Sequence, residues 1–191
     1  MSRKSEKRRA QSKKPPSLKE SWTAWYESKR PMLGYGLRFA IVMAVFYLYS
    51  LTPFYRQALS GAVVFDAQVA HVIMQFFGEN SILDGATLRS NGEAIITVEP
   101  GCTGFDYSWF LAAAVAAFPA AIFRRGVGIV AGVAILLLLN IVRVSSLYWV
   151  GVHRPELFAF VHEQLWAVLL NIATVCLMVG WIVWVKRTNE T

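Results

Sequence analysis

The sequence predicts an all-α, multi-pass membrane protein, and three observations lead to this fold class. Hydrophobic residues make up 55% of the 191 residues and charged residues only 16%, whereas a soluble domain has about a quarter of its residues charged. Ten of the 19 Lys and Arg residues lie between Arg3 and Arg30, so the rest of the chain is poorer still in charge. Four apolar stretches are long enough to cross a bilayer of about 30 Å.

The four predicted transmembrane helices cover residues 34–51, 104–123, 127–150 and 165–185. We expect residues 31–191 to form a single membrane domain, with a long outer loop over residues 52–103. Residues 1–30 are expected to form a basic cytoplasmic tail that is largely disordered and contacts anionic lipid headgroups.

The distribution of basic residues predicts the orientation in the membrane. The basic tail, Arg124-Arg125 and Lys186-Arg187 fall on one side of the four-span arrangement. The other side has few arginines, and acidic residues offset their positive charge: Asp66, Glu79, Asp84, Glu93, Glu99, Glu156 and Glu163. Because cytoplasmic loops are enriched in Lys and Arg, we expect both termini to be cytoplasmic.

The outer loop is predicted to contain two structured elements. Apolar residues recur at helical spacing at Phe65, Val69, Val72 and Phe76, which predicts an amphipathic helix over about residues 62–77, on the membrane surface or against the bundle. Asn91-Gly92 is a strong two-residue turn signal. We therefore predict a small β-hairpin over about residues 83–99, directly before Cys102.

Three polar residues from distant parts of the chain are predicted to meet at one depth. Cys102 follows a Pro-Gly break at the outer mouth of the second span, Arg143 lies near the outer end of the third, and His162 precedes the fourth. Arginine within a span costs about 2.5–3.5 kcal/mol to insert, so it usually faces the bundle interior. We interpret Cys102 as a nucleophile, His162 as its acid–base partner and Arg143 as the group that binds an oxyanion.

Three further residues are candidates for supporting roles. Asn140 lies three residues before Arg143, on the same helical face, where it can hydrogen-bond a partner or the guanidinium. Asp106, one turn after Cys102, and Glu163, next to His162, are candidate carboxylates for orienting the imidazole.

Simpler structural roles remain open for these residues. Arg143 could extend to the outer headgroups, and Cys102 could be a small buried apolar residue. Cys176 lies 14 residues beyond His162 in the fourth span, roughly 21 Å deeper. We therefore expect no disulfide with Cys102 and interpret Cys176 as structural.

Other chemistries have no support in the sequence. No His or Cys spacing suits a metal ion, no glycine-rich loop suits a phosphate-bearing cofactor, and no nucleic-acid-binding motif occurs. We predict neither metal nor cofactor, and no nucleic-acid partner.

The segment from about residue 85 to 185 resembles the exosortase/archaeosortase family of membrane cysteine proteases and transpeptidases. Glu99-Pro100-Gly101-Cys102-Thr103-Gly104 is similar to its Cys-small-Gly motif, and Asn140-Ile141-Val142-Arg143 to its Asn-x-x-Arg motif. His162 corresponds to the isolated His that opens the family's last conserved span. Thr103 stands where Ser or Ala is more usual. The short chain is most similar to the compact exosortase H-type subgroup.

The resemblance implies an enzyme of the bacterial cytoplasmic (inner) membrane, with Cys102 as nucleophile and Arg143 and His162 as partners. Its substrates would be membrane-anchored proteins with a C-terminal motif, a transmembrane helix and a basic cluster. Cleavage at the outer face through a Cys thioester would pass the product to an unidentified acceptor. The alternative is a non-catalytic membrane assembly or substrate-binding protein in which Asn140 and Arg143 hold helices together.

Overall fold

A computed structural model of the chain describes residues 17–90 and 93–188. Five helices and a small sheet make up most of this part: α1 (Leu18–Ser50), α2 (Pro53–Phe76), β1 (Ser81–Asp84), β2 (Thr87–Ser90), β3 (Glu93–Thr97), α3 (Phe105–Ala117), α4 (Ile122–His153) and α5 (Trp166–Arg187). A 3₁₀ turn at Pro100–Cys102 joins the sheet to α3. Three short helical turns join α4 to α5: Pro155–Leu157, Phe158–Phe160 and the π-helical Val161–Leu165.

Four helical segments of the described chain are long and apolar enough to cross a membrane: Ser21–Ser50, Pro53–Phe76, Ile122–His153 and Pro155–Arg187. This confirms the predicted mainly helical, multi-pass fold class, but the four segments are not the four that the sequence predicts. Helix α3, in place of the predicted span 104–123, has 13 residues and is too short, at about 20 Å, to cross alone.

The end of α3 has a local cause. Pro119 cannot continue a helix, and it forces the preceding residue into an extended conformation. Phe118 accordingly has φ −69° and ψ 139°. Helix α4 then begins at Ile122 rather than near residue 127, so Arg124 and Arg125 belong to its first turn.

Helix α2 replaces the shorter amphipathic helix predicted over residues 62–77, and it presents a different face to the bundle. Its buried residues are mostly small or polar: Val63, Asp66, Ala67, Ala70 and Met74. Phe65, Val72 and Phe76 belong to the apolar face that was predicted to lie on the membrane surface or against the bundle, and they are exposed. Large apolar side chains can face lipid, so small residues are the ones that pack between membrane helices.

The directions of the helices follow from their contacts with α4. Helix α2 runs parallel to α4, because Asp66 meets Asn140 while Glu79, just beyond α2, meets His153 at the end of α4. Helices α3 and α5 run antiparallel to α4, as four contacts establish: Gly104 with Asn140, Leu111 with Gly132, Trp166 with Ser146 and Trp181 with Arg124.

A three-stranded antiparallel sheet in the order β1-β2-β3 precedes the 3₁₀ turn. Strands β2 and β3 form the predicted hairpin, with Leu88 opposite Ile96, although its Asn91-Gly92 turn lies outside the described residues. Strand β1 was not expected as a separate strand, and it pairs with β2 across the two-residue loop at Gly85, whose φ is 60°. A four-residue strand is too short for alternation to identify.

The described part of the chain divides into two compact units, one that ends at residue 37 and one that begins at residue 38. In the first unit, residues 18–30 are helical rather than part of a disordered tail, while residues 1–16 lie outside the described residues. In the second unit, the remaining part of α1 packs aromatic rings on α3. The ring centroids of Phe46 and Trp109 lie 4.5 Å apart.

Two buried apolar clusters line α4. The cluster near His153 joins α2, the sheet, α4 and α5, and it includes Leu88, Tyr148 and Trp166. The other, nearer Arg124, is formed by Leu111, Val115 and Leu136. Cys102 packs against the first cluster, so the segment that carries it rests on a packed scaffold.

Candidate active site

The segment around Cys102 is held by local hydrogen bonds. The backbone N–H of Cys102 donates to the carbonyl of Glu99 at 2.8 Å, which closes the 3₁₀ turn. Thr103 is buried, and its hydroxyl donates to the carbonyl of Pro100 at 3.0 Å. This contact fixes the side chain of Thr103 within the turn that carries Cys102. Gly104, with φ 71°, then precedes Phe105, the first residue of α3.

Cys102 and His162 are in contact. The distance between Cys102 Sγ and His162 Nε2 is 3.7 Å, and both residues are half-buried. The imidazole stacks on Phe158, with ring centroids 5.7 Å apart and planes at 20°. His162 lies in the π-helical turn Val161–Leu165, and such turns often occur at functional sites. A thiol and an imidazole at this distance can exchange a proton after a small movement.

Asn140 connects Cys102 to α2. Its Nδ2 donates to the carbonyl of Cys102 at 2.7 Å and to Asp66 Oδ2 at 2.9 Å. The Asn140 side chain is fully buried and lies against Gly104, where a Cβ would come within 3.1 Å of it. The absence of a side chain at position 104 is therefore what allows Asn140 to approach.

Arg143 lies one turn beyond Asn140 and is only 8% exposed. Within residues 17–90 and 93–188 its guanidinium makes no hydrogen bond or ion pair, and Nε is buried without a partner. The alternative in which Arg143 extends to the outer headgroups requires an exposed guanidinium. The guanidinium is instead buried, so that alternative does not hold. A buried, unpaired charge is costly, so this arrangement suits a group whose partner arrives with a bound molecule.

The two candidate carboxylates lie elsewhere. Asp106 and Glu163 are exposed, and in the described part of the chain neither one hydrogen-bonds His162. Asp106 instead lies close enough to Tyr55 of α2 to act on it electrostatically. Cys176 is exposed on α5, and both cysteines are free thiols.

Asp66 is the residue of this region that sequence reasoning missed. It was counted as a charge of the outer loop, whereas the structure places it at 7% exposure beside Asn140. A lone acid within a long run of apolar and small residues was the available signal, because acids within membrane helices usually have a function.

Comparison with known protein families gives a match. A family model described as transmembrane exosortase matches residues 31–180, which include Cys102, Asn140, Arg143 and His162. No curated protein and no solved structure matches the chain significantly.

Proposed function

Since the chain belongs to the transmembrane exosortase family, we propose that it is a membrane cysteine endopeptidase or transpeptidase that processes C-terminal sorting signals. The observation that carries the proposal is the contact between Cys102 Sγ and His162 Nε2 at 3.7 Å. The buried, unpaired guanidinium of Arg143 supports it further.

The proposed reaction has two steps. His162 accepts the thiol proton of Cys102, the sulfur attacks the scissile carbonyl carbon, and the C–N bond breaks as the same proton passes to the leaving amine. This produces a thioester between Cys102 and the substrate. An acceptor amine or water then attacks the thioester, which releases the product and restores the thiol. In both steps Arg143 donates to the oxyanion of the tetrahedral intermediate.

The proposed substrate is a membrane-anchored protein whose C-terminal tail has a short motif, a transmembrane helix and a basic cluster. Its helix would lie beside α3, α4 and α5, with the motif at Cys102 and the basic cluster among headgroups at the other end. In our proposal the site faces the outside of the bacterial inner membrane. Arg124 supports this orientation, because it binds carbonyls of Val185 and Thr188 and so lies with Lys186 at the end away from Cys102.

One observation favours part of the non-catalytic alternative. Asn140 does join α2 to the segment of Cys102, as an interhelical contact would. Arg143, however, joins no pair of helices within the described residues, so the alternative leaves its burial unexplained.

Thiol labelling tests the proposal. Right-side-out membrane vesicles containing the Cys176→Ala variant, in which Cys102 is the single thiol, are treated with a membrane-impermeant maleimide. We expect rapid labelling from outside that slows about tenfold or more when His162→Ala is added, because the imidazole favours the thiolate. Cys102→Ala provides the blank, and labelling after denaturation gives the total thiol.

Two results would contradict the proposal. Equal labelling rates with and without His162 would show that Cys102 is not activated and would favour the non-catalytic alternative. Labelling that requires the membrane to be opened would place the thiol on the cytoplasmic side.

A further inference from the structure

A buried carboxylate of α2 belongs to the same hydrogen-bonded chain as Cys102. Asp66 is the single acidic residue of α2 and lies on the face that packs against α4. A carboxylate in apolar surroundings is costly unless it is hydrogen-bonded. The partner of Asp66 is the amide of Asn140, and a hydrogen bond from an amide to a carboxylate is stronger than one between neutral groups.

The two hydrogens of the Asn140 amide have separate acceptors. One points to Asp66 Oδ2 and the other to the carbonyl oxygen of Cys102. Both acceptors are oxygens, so the nitrogen of the amide must face them. Rotating the amide would break at least one of the two bonds, and the contact with Gly104 limits such rotation further.

We propose that Asp66 is a positioning residue that fixes the backbone of Cys102 relative to His162 through Asn140. The inference rests on the proposed function and adds to it a residue outside the Cys, Arg and His motifs. Asp66 fixes the direction of the Asn140 amide, and the amide in turn fixes the carbonyl of Cys102. The 3.7 Å contact between Sγ and Nε2 depends on this placement.

Helix packing alone would need only part of this arrangement. A bond between Asp66 and Asn140 is enough to join α2 to α4, whereas the second bond goes to the backbone of the nucleophile itself. Positioning and packing therefore predict different results when Asp66 and Asn140 are exchanged. The exchange keeps the bond that joins the helices but loses the bond to the backbone of Cys102.

The measured quantity is the factor by which His162 accelerates alkylation of Cys102, called the His162 factor below. It is obtained in the full-length Cys176→Ala chain, with His162 intact and with His162→Ala, for each variant at position 66. We expect Asp66→Ala to reduce this factor about tenfold or more, since a small misplacement can reduce a rate about a hundredfold. Asp66→Asn should retain most of it, because its amide oxygen can still accept from Asn140.

The double variant Asp66→Asn, Asn140→Asp separates positioning from packing. It keeps a hydrogen bond between positions 66 and 140, but a carboxylate at position 140 cannot donate to the carbonyl of Cys102. We expect it to fold, as judged by thermal unfolding in detergent, and to lose the His162 factor as Asp66→Ala does. Gln68→Ala, an exposed polar position of the same helix, is the matched control and should leave the factor unchanged.

The outcomes are distinct. A full His162 factor in Asp66→Ala, or a restored factor in the double variant, would overturn the positioning role while leaving the proposed function intact. No His162 factor in the parent chain would instead overturn the proposed function, and the role of Asp66 with it. If Asp66→Ala does not fold, the double variant still decides the question, because positioning predicts that the His162 factor is lost and packing alone predicts that it is kept.

Discussion

Cys102 Sγ lies 3.7 Å from His162 Nε2 although sixty residues separate the two in the chain. Each is held by a different local device. A 3₁₀ turn, to which the hydroxyl of Thr103 adds a hydrogen bond, presents the thiol. A π-helical turn with a stacked Phe158 presents the imidazole. Because the two devices are formed by different residues, each one can be changed separately.

Arg143 is predicted to act on the oxyanion rather than on helix packing. We expect Arg143→Ala to lower the processing rate about 10²–10³-fold, the usual effect of losing one oxyanion donor. Arg143→Lys should also be impaired, because an ammonium does not reproduce the planar, forked donors of a guanidinium. The measurement is cleavage of a co-produced protein that ends in a motif, a transmembrane helix and a basic cluster.

A matched control is available for Arg143 at the end of the same helix. Arg154, which follows α4, is exposed and pairs with exposed Glu156 at 3.6 Å, so Arg154→Ala should process normally. Normal processing by Arg143→Lys would rule out a specific role for the guanidinium.

Gly104 is predicted to be intolerant of a side chain. At φ 71° an L-residue is strained by about 1–2 kcal/mol, and a Cβ would also press on Asn140 at 3.1 Å. We expect Gly104→Ala to lower the free energy of unfolding by about 1–3 kcal/mol and to reduce the His162 dependence of Cys102 alkylation.

The control for Gly104 lies three residues earlier. A Cβ on Gly101 meets no atom within 4 Å, so Gly101→Ala should change stability by no more than about 0.5 kcal/mol. Equal behaviour of the two alanine variants would mean that the Gly104–Asn140 contact does not hold the site.

Alanine substitutions at Gly128 and at Gly180 are predicted to change the free energy of unfolding in opposite directions. A Cβ on Gly128 would overlap the indole of Trp181, which donates to the carbonyl of Arg124. Gly128→Ala should therefore cost about 1–3 kcal/mol. Gly180→Ala meets nothing within 4 Å and should gain up to about 1 kcal/mol, because Ala favours helix.

Thermal unfolding in detergent measures both glycine variants. An unfolding midpoint of Gly128→Ala at or above that of the parent chain would contradict the close packing of α4 against α5.

The sequence could predict those site residues that are polar and lie in or next to apolar stretches, namely Cys102, Asn140, Arg143 and His162. The order of the predicted spans then placed these residues at a similar depth in the membrane. The structure does bring Cys102 into contact with His162 and Asn140, while their catalytic roles stay predictions. Asp66 was not predicted as a site residue, because the segment around it was interpreted as an amphipathic helix of the outer loop, on the membrane surface or against the bundle.

The errors in the fold have the same physical origin. Hydropathy alone does not distinguish a helix that crosses the membrane from one that stops short. The predicted second span was therefore too long, because Pro119 ends α3 at Ala117. Hydropathy also does not tell which face of α2 meets protein, because lipid and core are equally apolar. The sequence therefore left open whether the face of Phe65 meets the membrane or the bundle, and it did not indicate that Ala67 is buried against the bundle.

The π-helical turn at His162 changes the relation between two requirements that a continuous α-helix would couple. After the turn, α5 must present Trp166 and Leu170 to the core. Within the turn, the imidazole of His162 must point at a sulfur. Each residue of an α-helix advances the side-chain direction by about 100°, so an uninterrupted helix would fix one direction from the other. The wider π-helical turn changes this offset, so the imidazole points in a different direction relative to Trp166 than it would in a continuous α-helix. A single-residue deletion among residues 163–165 would alter that offset and turn the imidazole away from the sulfur.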